Sequence, residues 1–175
     1  MVNENLIAVV DAGDNITGYH DKIEVHRKGL LHRAFSVVVI NGKGEWLIQR
    51  RAAGKYHSGG VWTNSCCSHL IQGKEMDVAA RERLRFEMGV DAEPVYSETF
   101  HYIARFDNGL TENEIDHIYV ARWDGIPMPD PDEVMEWRWM TPAMIAKELS
   151  GNPERWSAWF PRVFDIVAAQ VLKNH

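Results

Sequence analysis

Three histidines and two glutamates have the types and spacing of a metal site. Glu112 and Glu114 stand two residues apart at the start of a predicted strand, and side chains two apart on a strand point to the same face. Together with His26, His32 and His69, they would suit Mn²⁺, Mg²⁺ or Zn²⁺. Scattered histidines and glutamates are more often solvated surface residues, so the spacing alone leaves both interpretations open. Three further histidines are expected to be surface or packing residues: His57, His101 and His117.

Cys67 is the second candidate for chemistry. A thiol near charged groups can transfer a proton or act as a nucleophile. A cysteine in a segment that contains Trp62 can equally be a small buried hydrophobic residue. Cys66 and Cys67 are adjacent and are the two cysteines of the chain, so long-range disulfides are excluded and reduced thiols are expected.

Basic side chains spread along the first half of the chain could converge on a phosphate. Arginine suits this role because its guanidinium can pair bidentately with phosphate oxygens. The alternative is that these residues are solvated charges on hairpin and helix surfaces, and no single one is diagnostic. The candidates are Lys22, Arg50, Arg51, Lys55 and Arg83.

Arg83 begins the last part of a predicted helix that ends at Gly89. This part resembles the end of a Nudix box, the pattern whose glutamates bind the catalytic metals of Nudix hydrolases. When the box is aligned on Gly89, Ser68 stands where the pattern has glycine and Lys74 where it has glutamate. Glu82-Arg83 stands where the pattern has Arg-Glu. Phe86 replaces one of the last two glutamates, and only Glu87 remains. Diphosphate hydrolysis is therefore poorly supported.

The elements that must position these residues form an α+β pattern with short strands and few helices. A helix is predicted from Lys74 to Met88, a short one from Thr141-Pro142 to Gly151, and a final one along the apolar stripe from Trp156 to Val171. The predicted strands are Leu6 to Val10, Phe35 to Ile40, Trp46 to Arg50, His101 to Phe106, His117 to Trp123 and Val134 to Met140.

Length and composition favour one globular domain over residues 1–175. Hydrophobic residues make up 45%, charged residues 25%, and the net charge is −6, which argues against broad binding to nucleic acid or an anionic membrane. No apolar run reaches the roughly 20 residues of a membrane span. No basic segment precedes a long apolar one at the N-terminus, so a cytoplasmic protein is expected.

Taken together, three segments resemble type 1 isopentenyl diphosphate isomerases, which use a Nudix-like fold with a degenerate box. The resemblance runs from about Leu6 to the last helix. Its most specific segments are Leu30-Leu31-His32-Arg33-Ala34-Phe35-Ser36, Gly60-Val61-Trp62-Thr63-Asn64-Ser65-Cys66-Cys67-Ser68-His69 and Thr111-Glu112-Asn113-Glu114. The resemblance implies a single Nudix-like domain of mixed β-sheets packed with helices. It also implies that isopentenyl and dimethylallyl diphosphate are interconverted through a tertiary carbocation.

The same resemblance implies roles for individual residues. Cys67 matches the catalytic thiol, Glu114 the carboxylate facing it, Tyr102 the tyrosine beside that carboxylate, and Trp159 the ring that lies against the cation. His26, His32, His69, Glu112 and Glu114 match the metal-binding set, and Glu87 matches a ligand of a second Mg²⁺ carried by the substrate. The residues assigned to the substrate diphosphate are Lys22, Arg51, Lys55, Arg83 and Ser68.

Two other functions stay open at this point. A Nudix-type hydrolase of a small diphosphate would share the fold and the basic pocket. A non-catalytic metal-binding domain would share the histidines without needing Cys67 opposite Glu114. The expected partner is isopentenyl diphosphate, and the expected assembly is a monomer or a weak homodimer.

Overall fold

The computed structural model describes residue 3 and residues 5–173, apart from the side chain of residue 172. Nine strands and four α-helices occur in this part of the chain, with one 3₁₀ turn at Pro153–Arg155. The strands are β1 (Leu6–Val10), β2 (Ile16–Asp21), β3 (His32–Ile40), β4 (Trp46–Arg51), β5 (Trp62–Thr63), β6 (Cys66–His69), β7 (Val95–Arg105), β8 (Thr111–Arg122) and β9 (Val134–Met140). The helices are α1 (Lys22–Lys28), α2 (Met76–Met88), α3 (Pro142–Gly151) and α4 (Phe160–Lys173).

Strand β3 is the centre of a mixed sheet. It pairs in parallel with β8 along its whole length, antiparallel with β6, and at its ends with β1 and β4. Strand β7 extends the sheet beyond β8, and β9 pairs with β4. This arrangement brings β6, β3, β8 and β7 side by side, and these strands carry the candidates His32, Cys67, Ser68, His69, Tyr102, Glu112 and Glu114.

Alternation along β3 divides the core into two layers. Phe35, Val37 and Val39 pack in one layer with residues of α2, whereas Val38 and Ile40 pack in the other with residues of α3 and α4. A strand buried on both faces reads as a continuous apolar run, as the segment from Val37 to Ile40 does. On the face of β3 that carries Val38 and Ile40, polar residues replace the apolar ones toward the start of the strand.

Helix α1 fixes two candidate residues one turn apart. The Asp21 side chain accepts hydrogen bonds from the backbone N–H groups of Ile23 and Glu24 at its start, and Gly29 ends it at a φ of 62°. This left-handed backbone conformation favours glycine, because a side chain is sterically unfavourable there. Lys22 and His26 are four residues apart on this helix and therefore share a face.

The α+β class is confirmed, as are β1, β9 and α3 within a residue. Helix α2 begins at Met76 rather than Lys74, and β7 and β8 begin several residues earlier than predicted. The final helix is confirmed from Phe160 onward, but its predicted start is wrong: Trp156 forms a bridge with Trp62, and α4 begins only at Phe160. The expectation of one domain over residues 1–175 stays a prediction, because residues 1, 2, 4, 174 and 175 lie outside the described part.

Short length explains the elements that the sequence did not predict. Strands β2, β5 and β6 and helix α1 contain two to seven residues each, too few for a clear periodicity. Among the described helices, none is both long and apolar enough to cross a membrane.

Candidate active site

Strand register brings the candidate residues together on one face of the sheet. Glu114 of β8 lies opposite His32 of β3 and opposite Tyr102 of β7. On the other side of β3, His69 pairs with Ala34 and Cys67 pairs with Ser36. Because paired residues point to the same face, these strands line one cleft at the polar end of the second core layer with Glu114, Tyr102, His69, Cys67 and Ser36.

The predicted metal ligands converge. One ligand atom from each of five residues lies within 4.8 Å of all the others, and all five residues are buried: His26, His32, His69, Glu112 and Glu114. Nε2 of His69 lies 2.8 Å and Nε2 of His32 lies 3.2 Å from Oε1 of Glu114. Nε2 of His26 lies 3.3 Å from Oε1 of Glu112, and Nε2 of His32 lies 3.3 Å from Oε2 of the same residue.

Two of the histidines are held in the orientation that metal ligands need. Nδ1 of His26 donates to the carbonyl oxygen of Lys22 at 2.5 Å, and Nδ1 of His32 donates to the carbonyl oxygen of Leu30 at 2.8 Å. Each bond directs the opposite nitrogen, Nε2, toward the glutamates. Backbone bonds of this kind typically fix the tautomer of a metal-binding histidine.

Charge in this cluster also fits a cation. Burial opposes charge on His32, but hydrogen bonds with Glu112 and Glu114 prevail and raise its pKa to about 10. Burial also opposes charge on Glu112, yet hydrogen bonds with Glu114 and with histidines hold its pKa well below the usual range. Among the described side chains, Nε2 of His26 and Oε2 of Glu112 are buried without a well-directed hydrogen bond. The cluster can therefore hold a divalent metal ion.

Glu114 reaches beyond the cluster to a phenol. Tyr102 donates its hydroxyl to Oε2 of Glu114 in a very short hydrogen bond. Burial raises the pKa of Tyr102 well above its usual value, and the negative charge of Glu114 adds to this. The phenol therefore keeps its proton and remains a donor at neutral pH.

The two cysteines occupy different environments. Cys66 is fully buried in the layer beside α2, whereas Cys67 is half-buried and lines the cleft. Burial raises the pKa of the Cys67 thiol to about 12, against the opposing effect of Arg51. Nη1 of Arg51 lies 3.6 Å from the sulfur. Cys67 is therefore a neutral thiol that faces a permanent cation.

Basic side chains fill one end of the cleft. Lys22, Arg51, Lys55 and Arg83 all line it. Burial lowers the pKa of Lys22 to about 8, and the charges of Lys55, Arg83 and Arg51 add to the shift. Burial lowers the pKa of Lys55 as well. This concentration of positive charge suits an anionic ligand such as a diphosphate. Arg50, the fifth basic candidate, instead pairs with Glu136 away from the cleft.

Only one glutamate of the degenerate box reaches the cleft. Glu87 is buried, lines the cleft and forms an ion pair with Arg83. Phe86 is 54% exposed and does not line the cleft. Lys74 forms an ion pair with Glu82, outside the cleft lining. Ser68 also lines the cleft.

Trp159 closes the cleft from just before α4. Its Nε1 donates to Oδ1 of Asn64 at 3.2 Å, and Asn64 donates in turn to the carbonyl oxygens of Val37 and Cys66. The Trp159 ring lies 5.4 Å from the guanidinium carbon of Arg51 and 6.3 Å from the Tyr102 ring. The residue is therefore fixed by the core, although it presents a ring face to the cleft.

Sequence reasoning missed His57. The structure contradicts its assignment as a surface or packing residue, because His57 is buried and its Nε2 contacts Oε1 of Glu112. It lies on the irregular loop between β4 and β5, where no periodicity indicates which side chains turn inward. By contrast, His101 is exposed and bonds Asn113, and His117 pairs with Asp14 at 2.7 Å, as surface and packing residues do.

Asp116 and Ser36 were also missed, although a signal was present. Asp116 follows Glu114 by two residues on β8, so the alternation that placed Glu112 and Glu114 together also includes it. The Ser36 hydroxyl donates to Oδ2 of Asp116 at 2.7 Å. Burial raises the pKa of Asp116 well above its usual range, and the charge of Glu114 adds to the effect. Burial therefore favours the protonated form of Asp116, which lies next to the cleft residue Ser36.

Comparisons with known proteins agree with this geometry. Residues 30–160 match the NUDIX domain family. Isopentenyl-diphosphate Delta-isomerase 2 of Aromatoleum aromaticum is 42% identical over 164 residues, which cover 94% of this chain and 87% of that protein. The isopentenyl-diphosphate Delta-isomerase of Serratia proteamaculans is 41% identical over 98% of this chain and 96% of its own length.

Solved structures share the fold at lower identity. DR0079 from Deinococcus radiodurans matches with a TM-score of 0.75 and 16% identity, covering 91% of this chain and 97% of its own. The MutT protein from Methanosarcina mazei matches with a TM-score of 0.64 and 15% identity, covering 77% and 91%. These matches confirm the Nudix-like fold predicted from sequence. With the domain match and the two bacterial relatives, they establish that the chain belongs to the isopentenyl-diphosphate Delta-isomerase family, built on a Nudix fold.

Proposed function

We propose that this protein interconverts isopentenyl diphosphate and dimethylallyl diphosphate. The observation that carries the proposal is one cleft that combines a neutral thiol at Cys67, a carboxylate at Glu114 and a basic end. A five-carbon diphosphate has the anionic head and the short apolar tail that such a cleft fits.

The basic end would bind the diphosphate. Arg51 and Arg83 offer planar donors, and Lys22 and Lys55 offer compact charges, so that the head group is held from several sides. Ser68 adds a hydroxyl at the edge of the cleft. Glu87, the surviving glutamate of the box, is suited to bind a Mg²⁺ ion carried by the diphosphate, since hard carboxylate oxygens are its preferred protein ligands.

The reaction needs one proton delivered and one removed. The alkene π electrons take a proton at the terminal carbon, which leaves a tertiary cation. Loss of a proton from the neighbouring methylene then returns its C–H electron pair to a new double bond. Electrons and atoms balance, and no oxidant is required. Cys67 and Glu114 are the two proton-transfer groups, and Tyr102 is placed to relay a proton to or from Glu114.

The aromatic side chains of the cleft, Trp159 and Tyr102, would stabilise the cation. The ring face of Trp159 would contribute roughly 0.5–2 kcal/mol through a cation–π interaction. Trp159 is buried, and with Tyr102 it would limit the access of water to this part of the cleft. Excluding water matters because water would otherwise trap the carbocation.

A divalent ion belongs at the His/Glu cluster in this proposal. His26, His32, His69, Glu112 and Glu114 would hold it, and the donor set is compatible with Mn²⁺, Mg²⁺ or Zn²⁺. When bound, the ion would fix the orientation of Glu114 and make nearby protons more acidic. A monomer or weak homodimer, a cytoplasmic location and the absence of nucleic-acid binding stay predictions.

Hydrolysis of a small diphosphate is the competing function, and the structure disfavours it. A Nudix hydrolase uses several glutamates of its box, but here α2 offers Glu87 alone to the cleft. Incubating the purified protein with isopentenyl diphosphate and Mg²⁺ or Mn²⁺ separates the two functions. Dimethylallyl diphosphate should accumulate while inorganic phosphate stays at the level of an enzyme-free control. Phosphate release without the isomeric product would refute the proposal.

A further inference from the structure

His57 occupies an unusual position for a residue of an irregular loop. Its side chain is 3% exposed. The ring stacks on Phe106 with centroids 4.7 Å apart at 10°, and Tyr56 packs edge-on against it at 4.4 Å. Stacking on one face and an edge contact restrict the rotation of the ring. The imidazole is therefore held in one orientation.

That orientation places Nε2 against the metal-binding cluster. Nε2 contacts Oε1 of Glu112, the oxygen that also faces His26 at 3.3 Å. The other oxygen, Oε2, faces His32 at 3.3 Å. Nε2 of His57 is buried and has no well-directed hydrogen bond among the described side chains. A buried polar atom in this state requires an explanation.

The opposite nitrogen identifies which atom carries the proton. Nδ1 of His57 lies 3.1 Å from the Ser58 hydroxyl. Because an ionised carboxylate can only accept, the proton of a neutral imidazole belongs on Nε2, and the Ser58 hydroxyl then donates to Nδ1. Ser58 has a φ of 52°, a strained value for a residue other than glycine that the loop nevertheless maintains.

The loop itself is tied to the basic end of the cleft. Arg51 donates from Nη2 to the carbonyl oxygen of His57 at 3.3 Å and from Nε to that of Ser58 at 3.1 Å. Lys55 lies two residues before His57. One short segment thus holds residues proposed to bind the diphosphate together with His57, which contacts the proposed metal ligand Glu112.

We infer that His57 is a positioning residue for Glu112: in the metal-bound protein its Nε2–H donates to Oε1, and Oε2 is presented to the metal ion. The inference rests on the proposed metal site, and it adds to that site a residue outside the five converging ligands. Such outer partners of a metal ligand change affinity by about 10-fold to 100-fold when they are lost.

The test uses the full-length protein stripped with a chelator and titrated with Mn²⁺ alone. His57→Phe keeps the stacked ring and removes the donor, whereas His57→Gln restores an N–H near the position of Nε2. His57→Phe should raise the Mn²⁺ dissociation constant about 10-fold to 100-fold, and His57→Gln should recover most of that loss. His101→Phe, which changes an exposed histidine on β7, should bind like the wild type.

Several outcomes would overturn the inference. Equal dissociation constants for wild type and His57→Phe would remove it while leaving the metal site intact. A dissociation constant for His57→Gln as high as that for His57→Phe would contradict the assignment of the effect to the Nε2–H donor. If His57→Phe does not fold, Ser58→Ala replaces it, because losing the hydroxyl frees the other tautomer and should weaken binding a few-fold; unchanged affinity there would also contradict the inference. A wild type that binds no Mn²⁺ would refute the metal site and this inference together.

Discussion

The two ends of the cleft are built differently. The His/Glu end stands mostly on strands β3, β6 and β8, where register sets the position of each side chain, and its opposite charges lie in contact. The basic end stands on α1, the end of β4, the β4–β5 loop and α2, and burial, with the neighbouring cations, lowers the pKa of Lys22 and Lys55. The first end is preorganised for a small cation, whereas in the second Glu87 and Glu133 pair with Arg83 and Lys55 and leave an excess of positive charge for an anion.

The largest expected effects come from the two proton-transfer groups between these ends. Cys67→Ala and Glu114→Gln should each lower kcat by at least about 10², the lower range for a lost general acid or base. Cys66→Ala is the matched control, since the neighbouring thiol faces the layer beside α2, and its kcat should stay close to that of the wild type. Near-normal turnover in either of the first two variants would remove the acid–base assignment. Steady-state kinetics with isopentenyl diphosphate is the measurement.

Removing the metal should disable the His/Glu end alone. Chelator-treated protein is expected to lose at least about tenfold in kcat, because the ion is proposed to orient Glu114. Adding Mn²⁺ or Mg²⁺ should restore turnover. Metal occupancy should fall as pH drops, since the ligand histidines must be neutral to bind. Full activity in protein shown by elemental analysis to be metal-free would contradict this.

Two substitutions at Trp159 test whether its ring stabilises the cation or only packs against the core. Trp159→Phe and Trp159→Leu both lose the bond to Asn64, but only the first keeps a π face. Trp159→Phe should therefore turn over about 2-fold to 30-fold faster than Trp159→Leu, the equivalent of roughly 0.5–2 kcal/mol. Their unfolding free energies should differ by little more than about 1 kcal/mol. Equal turnover in the two variants would leave Trp159 as a packing residue.

The smallest effect concerns the pH dependence of the basic end. Lys22 has a pKa of about 8, so it loses its positive charge as pH rises through that value. The KM for the diphosphate substrate should therefore rise about threefold to tenfold between pH 7 and pH 9. Lys22→Arg stays charged over this range and should flatten the profile. An equal rise in Lys22→Arg would assign the dependence to another group.

The difference between the two ends also explains how far the sequence could predict them. The period of two on β8 correctly placed Glu112 and Glu114 on one face, and the same period would have included Asp116. Which strands lie beside β8 depends on long-range pairing, so the convergence of His32, His69 and Tyr102 came from family resemblance rather than from spacing.

Irregular segments set the limit of sequence reasoning. His57 and Lys55 lie on the β4–β5 loop, where backbone bonds from Arg51 and a left-handed Ser58 decide which side chains turn inward. Nothing in local composition encodes those contacts. Helix α1 was missed for a related reason, since seven residues are too few for a recognisable apolar stripe.

The central claim is that a proton from the protein is added to the alkene and a different one is removed, with the diphosphate left intact. Running the reaction in D₂O and following it by NMR tests this directly, because the exchangeable groups of the cleft would then deliver deuterium. We expect dimethylallyl diphosphate with deuterium in the methyl group formed from the terminal carbon, and no inorganic phosphate above the enzyme-free control. Isomeric product without deuterium, or release of phosphate without isomeric product, would contradict it.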